Sequence, residues 1–440
     1  MRGILGLFSA IIIPLLLLIP IIGCQERQLS STKLIRTVSE TPIANLDFAL
    51  TVLETLDDYP MSVVVSPDGR RVACVSKIGD TELVVVDGME GQRFDSVQRP
   101  VFSPDSNRIA YAAEANNQWF VVVNGNEHKN YDYVRNPKFS PNSESIAYAS
   151  NTGDKWSMVV EGNEGKHYDI VYWPIFSPDS KRVVYMAKTG DWSFVVVNGI
   201  EGKHYDDIGY DLIMSPDGKR VAYSACIGNE WFVVVDGMEG QRYGSVQKPV
   251  FSPDSQHIAY SAGKDNEDIV VVDGVESKKY RHISSKSLVF SPNSQRVAYV
   301  AWLPSGDTVV IDGEEGKPYS TFLMGWPIFS HDSNRVAYAG SQSSWTSTIF
   351  FLVLDGKEYK EYNNIDNSSI TFSPDSERIA YTAKTGDEWF VVVNGTEGKR
   401  YSEILCGKKG IIFDSLDSLH YIAINDTGIY LVEETLSNPN

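Results

Sequence analysis

The stretch Phe102-Ser-Pro-Asp-Ser-Asn-Arg-Ile-Ala-Tyr111, followed by Trp119-Phe-Val-Val-Val-Asn-Gly125, decides the fold because related copies recur along the chain. The residue that opens the Ser-Pro-Asp turn marks each copy. It is serine at positions 66, 103, 140, 177, 215, 252, 291, 330 and 373, and aspartate in a degraded tenth copy at position 414. Successive copies are 37 to 43 residues apart. A period of this length indicates a repeat protein in which each copy is one supersecondary unit.

Each repeat divides into four short strands. Within the quoted copy, strand a covers residues 100–103, strand b residues 108–112 and strand c residues 119–123. An Asn-Gly or Asp-Gly pair follows strand c in most copies, and such pairs are the strongest local signal for a hairpin into strand d. Four strands of about five residues fill the period. Four-stranded antiparallel units repeated without linkers are typical of β-propellers, so we predict an all-β propeller of nine or ten blades over residues 46–436.

The repeat resembles the WD-like repeats of TolB-type β-propellers. The matching pattern is Phe-Ser-Pro-Asp-Ser/Gly-x-Arg-Ile/Val-Ala-Tyr, which is present in nearly every unit between about residues 60 and 435. TolB proteins carry an additional α/β domain before the propeller, and this chain leaves no room for one. The resemblance therefore implies the fold and does not imply the role of TolB.

The last repeat has strands a, b and c but lacks a strand d. Residues 48–59, and within them residues 53–59, could supply that strand, so we expect the two ends of the chain to meet in one blade. Closure in this way would remove exposed sheet edges. One ring is the preferred arrangement because no linker interrupts the repeats, and two smaller propellers are the alternative.

The N-terminus reads as a bacterial lipoprotein leader. Residues 1–23 combine Arg2 with a long apolar segment, and Ile21-Ile22-Gly23-Cys24 resembles the lipobox in which the cysteine is lipidated. An uncleaved anchor helix is the alternative, although Pro14 and Pro20 would disturb it. Residues 24–45 are polar and aperiodic, which predicts a flexible tether, and residues 437–440 form a tail. Because Gln25 and not aspartate follows the cysteine, the resemblance implies a lipid-anchored envelope protein at the outer membrane.

The composition excludes some classes of protein. The chain has 57 acidic and 39 basic residues, a formal charge of −18, which argues against nucleic-acid binding because that affinity comes largely from Lys and Arg. Neither a metal-ligand spacing, a cofactor motif nor a nucleophile elbow is present in the sequence. We therefore predict a monomer without metal or cofactor, and without a catalytic site.

Comparison of the repeats with each other predicts where a partner would bind. The a–b and c–d turns, which share one face of a propeller, are nearly uniform, whereas the residues just before strand a and the b–c loops vary. The candidate binding residues on this variable face are Arg99, Arg135, Tyr172, Trp173, Asp211, Lys248, Trp326 and Trp345. Aromatic side chains and arginine are enriched at interfaces, so a scaffold that binds an envelope protein is the first hypothesis. A carbohydrate-binding propeller and a channel-centred hydrolase or lyase are the alternatives.

Overall fold

The computed structural model describes residues 34–45, 63–284, 286–319, 326–343, 347–405 and 410–437. Within these ranges the chain forms ten small antiparallel sheets, which are the blades of one β-propeller. The prediction of an all-β propeller is therefore confirmed. None of the described residues forms a helix with the length and apolar character that a membrane crossing requires.

We number the blades 1 to 10 in chain order and letter the strands of each blade a to d. Strand a is in two pieces in six blades. The strands of blades 1 to 5 are Val64–Val65, Val72–Ile78, Thr81–Val86, Met89–Phe94; Ser96–Val97, Val101–Phe102, Ile109–Ala115, Gln118–Val123, Asn126–Glu127; Tyr133–Phe139, Ile146–Thr152, Lys155–Val160, Asn163–Tyr168; Ile170–Val171, Ile175–Phe176, Val183–Thr189, Trp192–Val197, Ile200–Glu201; and Asp207–Ile208, Ile213–Met214, Val221–Ile227, Glu230–Val235, Met238–Glu239.

The second half of the ring repeats the same plan. The strands of blades 6 to 10 are Ser245–Val246, Val250–Phe251, Ile258–Lys264, Glu267–Val272, Val275–Glu276; His282–Ile283, Val289–Phe290, Val297–Leu303, Gly306–Ile311, Glu314–Glu315; Ile328–Phe329, Val336–Ser343, Thr348–Leu354, Lys357–Tyr362; Asn364–Phe372, Ile379–Thr385, Glu388–Val393, Thr396–Tyr401; and Glu403–Leu405, Ile412–Phe413, Ser418–Asn425, Gly428–Ser437, Ile35–Asn45.

The Ser-Pro-Asp turn is held by local hydrogen bonds and also joins neighbouring blades. In blade 1 the Ser66 hydroxyl donates to Asp68 Oδ1 at 2.5 Å, and accepts from the backbone N–H of Arg71 at 3.0 Å. The Asp68 N–H donates to the hydroxyl of Ser106 in blade 2 at 3.0 Å. The Arg71 side chain pairs with Asp87 of the Asp-Gly turn at 2.8 Å. The fold therefore needs the Ser-Pro-Asp motif for these contacts, which explains why the motif is nearly uniform among the repeats.

Strand a carries extra residues at the variable positions, one in blades 2, 4 and 6 and two in blade 5. In blade 2, Val97 pairs with Ala113 and Val101 pairs with Ala110, so four steps along strand a oppose three steps along strand b. Extra residues of this kind are left unpaired and redirect side chains. The variable residues, such as Arg99, therefore lie within the innermost strand and not in the loop that precedes it.

Ten hydrophobic clusters in the described residues each lie between two successive blades. The tenth joins blade 10 to blade 1, where Ile422 and Ile424 pack with Val72 and Leu83. The other nine follow the ring in order. Because every blade packs on two neighbours, the chain forms one ring, and the alternative of two smaller propellers is wrong.

An N-terminal strand closes the ring, but it lies upstream of the expected segment. Ile35–Asn45 pairs with Gly428–Ser437 as the outer strand of blade 10. This strand falls inside residues 24–45, so the prediction of a flexible tether over that whole range is wrong. The predicted closing segment, residues 53–59, lies outside the described residues. The strand was missed because its alternation of small and polar residues lacks the repeat motif.

Candidate functional site

Three aromatic side chains converge on blades 4 and 5. The rings of Tyr172 and Trp173 lie 5.9 Å apart, and each contacts Tyr210, at 5.2 and 5.8 Å between centroids. Trp173 is 48% exposed and Tyr210 is 70% exposed. Burial, followed by the Tyr210 hydroxyl, raises the pKa of Tyr172 to about 12, so this phenol stays neutral at physiological pH. The two predicted residues thus belong to an exposed aromatic trio.

An open cavity of about 770 Å³ borders this trio along the inner strands of blades 5 to 7. Tyr210, Asp211 and Lys248 line it together with Trp231 and Lys286. The volume is in the usual range for ligand pockets, about 300–1,000 Å³. Two of the predicted residues, Asp211 and Lys248, therefore meet at one cavity, and Tyr210 is the member of the trio that lines it.

Asp211 is fixed inside this cavity by Ser224. The Ser224 hydroxyl lies 2.9 Å from both carboxylate oxygens of Asp211, and the Ser224 N–H donates to Oδ1 at 3.3 Å. Burial raises the pKa of Asp211, and the hydrogen bonds from Ser224 and the charge of Lys248 oppose that shift. The carboxylate is thus a positioned acceptor, ready for a donor group on a ligand.

The two predicted arginines differ in what they contact. Arg135 stacks on Trp156, with 4.1 Å from the guanidinium carbon to the ring centroid, and it donates to the Val171 carbonyl at 3.0 Å. Arg135 therefore bridges blades 3 and 4 and supports Val171, the residue that precedes Tyr172. Arg99 is exposed in the bulge of blade 2. Burial and Tyr210 raise the pKa of Tyr172, and the charge of Arg135 opposes that shift, so Arg135 acts on the trio electrostatically.

Trp326 lies at a second cavity, on the inner strands of blades 8 to 10. This cavity measures about 410 Å³, and Asp366, Trp389 and Glu403 also line it. Trp326 is 40% exposed. The predicted residue Trp345 lies outside the described residues, as does Cys24. Of the candidate residues, Asp211 and Lys248 line the first cavity and Trp326 lines the second, so the structure does not gather them into one site.

The recurrent acidic residues of the c–d turns serve structure. A lysine of one blade pairs with the turn glutamate of the next, so the outer strands are linked around the ring. The pairs are Lys129–Glu164, Lys166–Glu201, Lys203–Glu239, Lys278–Glu315, Lys317–Glu358, Lys360–Glu397 and Lys399–Glu40, at 2.5 to 2.7 Å. Throughout the described part of the chain, no three His, Cys, Asp or Glu side chains converge as a metal site would require.

Sequence reasoning missed several lining residues, among them Tyr210, Trp231, Trp389 and Glu403. Tyr210 directly precedes Asp211 and occupies a variable position of the repeat, so its place beside a predicted residue was the available signal. Trp231 and Trp389 recur in the repeat, which suggested packing alone. Glu403 lies in the first piece of strand a, whose existence the repeat pattern did not indicate.

Comparisons with known proteins give weak similarities. No protein-family model matches the chain, and no curated protein matches it. Similar solved structures include a eukaryotic initiation factor (12% identity, 68% of this chain, 88% of that chain, TM-score 0.43). TolB from Acinetobacter baumannii (16%, 49% and 63%, TM-score 0.28) and a putative TolB from Agrobacterium tumefaciens (14%, 54% and 94%, TM-score 0.28) are also similar. At these values the similarities carry no functional argument, and the propeller assignment rests on the ten blades.

Proposed function

We propose that this chain is a non-catalytic, lipid-anchored scaffold that binds an envelope protein through the aromatic trio and the adjoining cavity of blades 5 to 7. The observation that carries the proposal is the trio of Tyr172, Trp173 and Tyr210, because large aromatic side chains are rarely left exposed together without a partner. Tyr and Trp are also the residues that most often dominate binding energy at protein interfaces.

The cavity supplies what a protein contact needs beside its aromatic anchors. Asp211 offers a fixed acceptor, and Lys248 and Lys286 offer cationic donors at the same opening. Polar groups around an apolar centre give an interface its orientation and specificity. A side chain of the partner that enters the cavity would therefore meet both ring surfaces and charged groups.

The lipid anchor is proposed from the Ile21-Ile22-Gly23-Cys24 sequence. Acylation of Cys24 would hold the propeller at the membrane of the cell envelope, where residues 25–33 precede the closing strand. We expect metabolic labelling with a tagged palmitate to label the wild-type chain and not the Cys24→Ser variant, as measured on gels after immunoprecipitation. Equal labelling of the two chains, or no labelling of the wild-type chain, would contradict the anchor.

The binding proposal is tested by cross-linking and pull-down from envelope membranes of the native host. Trp173→Ala should reduce recovery of the specific partner at least tenfold, since a central aromatic anchor contributes about 2 kcal/mol or more. Trp192→Ala is the matched control, because Trp192 is 50% exposed on the same blade and lies outside the trio and the cavity.

Equal recovery with the Trp173 and Trp192 variants would contradict the proposal. A glycan array provides the other arm of the test. If the wild-type chain binds a saccharide on the array and the Trp173→Ala variant does not, the partner is a carbohydrate and not a protein.

A further inference from the structure

The second cavity differs in chemistry from the first and suggests a different ligand. Its described lining contains two indoles, from Trp326 and Trp389, and two carboxylates, from Asp366 and Glu403. The other described lining residues are uncharged, so the described part of the lining carries a formal charge of −2. The cavity beside the aromatic trio, by contrast, is lined by two lysines and one aspartate.

The two carboxylates are held where they can act together. Asp366 accepts from the N–H and the hydroxyl of Ser368, at 2.9 and 2.7 Å, which fixes its orientation in blade 9. Glu403 lies in the first piece of strand a of blade 10, paired with Ile424. Burial raises the pKa of Glu403, and the charge of Asp366 adds to that shift, whereas the backbone N–H of Ile404 and the charge of Lys384 oppose it. Both facts indicate a partly desolvated acidic pair for which a cation is a favourable neighbour.

The indoles provide the second element of a cation site. A cation over an indole face is attracted by the electron-rich ring, and the attraction is stronger where water is excluded. Lys384 already uses Trp389 in this way, with its ammonium nitrogen 5.4 Å from the ring centroid. Lys384 is not part of the described lining, whereas Trp326, which is 40% exposed, is.

We propose that the cavity between blades 8 and 10 binds a small organic cation, which places an ammonium group between Trp326, Asp366 and Glu403. The volume of about 410 Å³ admits a small molecule. This site is separate from the aromatic trio, and the inference does not rest on the proposed function.

Isothermal titration calorimetry of the full chain with choline tests the site, and 3,3-dimethylbutan-1-ol serves as the neutral isostere. Choline should bind, and the isostere should bind at least about tenfold more weakly, because it lacks the charge that the carboxylates and the indoles recognise. Titration with butylammonium distinguishes a site for primary amines from one for quaternary amines, and binding of either cation supports the proposal.

Three variants locate the binding. Glu403→Gln and Trp326→Leu should each weaken binding of the preferred cation about tenfold or more. Glu90→Gln removes the same charge at an exposed site and should leave the affinity unchanged, as should Trp173→Ala in the aromatic trio. Thermal melting followed by circular dichroism shows whether each variant folds. If one of the two variants, Glu403→Gln or Trp326→Leu, does not fold, the affinity of the other one tests the proposal.

Three outcomes would overturn the proposal. The first is equal binding of choline and the neutral isostere. The second is an equal loss of affinity in the Glu90 and Glu403 variants, since the cations would then respond only to the overall negative charge. The third is no binding of either ammonium probe. Failure of the Trp173→Ala pull-down prediction would leave these results untouched, so the two proposals are separable.

Discussion

At the scale of single residues, one serine hydroxyl in most repeats ties two blades together. The Ser143 hydroxyl accepts from the Asp105 N–H of the preceding blade at 2.9 Å, and equivalent contacts involve Ser106, Ser180 and Ser255. This serine adopts a positive φ, 63° at Ser143, a conformation that costs a residue with a Cβ about 1–2 kcal/mol. The hydrogen bond offsets that cost.

Substitution of Ser143 separates the two effects. Ser143→Ala loses the hydrogen bond and keeps the unfavourable φ, whereas Ser143→Gly loses the same bond and removes the conformational cost. We expect the alanine variant to be destabilised by about 1 kcal/mol, and the glycine variant by less. Urea unfolding measures both free energies. A glycine variant less stable than the alanine variant would contradict this account.

A buried ion pair lies under the closing strand. Arg36 Nε lies 2.5 Å from Glu434 Oε2, and the Arg36 guanidinium also donates to the carbonyls of Val391 and Thr396 at 2.8 Å. The Tyr421 hydroxyl donates to the same carboxylate at 2.6 Å. Since removal of one partner leaves an uncompensated buried charge, Arg36→Met should cost about 3–5 kcal/mol. Urea unfolding tests this, and Arg36→Met combined with Glu434→Leu should recover part of the loss.

At the scale of elements, the closing strand decides whether the ring has an edge. Ile35–Asn45 covers the whole of Gly428–Ser437, and Glu40 of this strand takes the place of the turn glutamate by pairing with Lys399 at 2.7 Å. The N-terminal strand therefore continues the rim of lysine–glutamate pairs as well as the sheet. Without it, Gly428–Ser437 would present unpaired backbone groups, which favour association with other chains.

Truncation tests the closing strand directly. Deletion of residues 24–45 should lower the melting temperature and produce oligomers, as measured by light scattering after size-exclusion chromatography. Deletion of residues 24–33 is the matched control, because it keeps the strand and should leave a stable monomer. A monomer of unchanged stability after the longer deletion would show that closure does not depend on this strand.

At the scale of the whole molecule, the ring accumulates carboxylates whose pKa values folding lowers. Hydrogen bonds from Ser103, and then from Asn107, lower the pKa of Asp105 to about 2, and Ser215 and Lys219 do the same for Asp217. Lysine partners lower the pKa values of rim glutamates, as at Glu164. Asp211 and Glu403 shift upward through burial and act in the opposite direction.

The carboxylates whose pKa values are lowered outnumber those whose pKa values are raised, so the lowered ones set the sign of the pH dependence. A carboxylate with a lowered folded pKa stabilises the fold above its unfolded pKa, and this contribution is lost as the pH falls through the folded value. We expect the melting temperature to be steady above about pH 5 and to fall between about pH 4 and 2. Calorimetric scans across this range provide the test. A melting temperature that rises on acidification would contradict this prediction.

The sequence by itself determined the blade, because the Ser-Pro-Asp turn and the Asx-Gly hairpin are made of hydrogen bonds between residues close in the chain. It also marked Tyr172, Trp173, Asp211 and Lys248, since repeats can be compared with each other. Only the tertiary structure decided the closing strand, in which Arg36 and Glu434 are 398 positions apart and share no local signal. The two cavities likewise depend on neighbouring blades: ring packing brings Tyr210 to Trp173 and separates Trp326 from them.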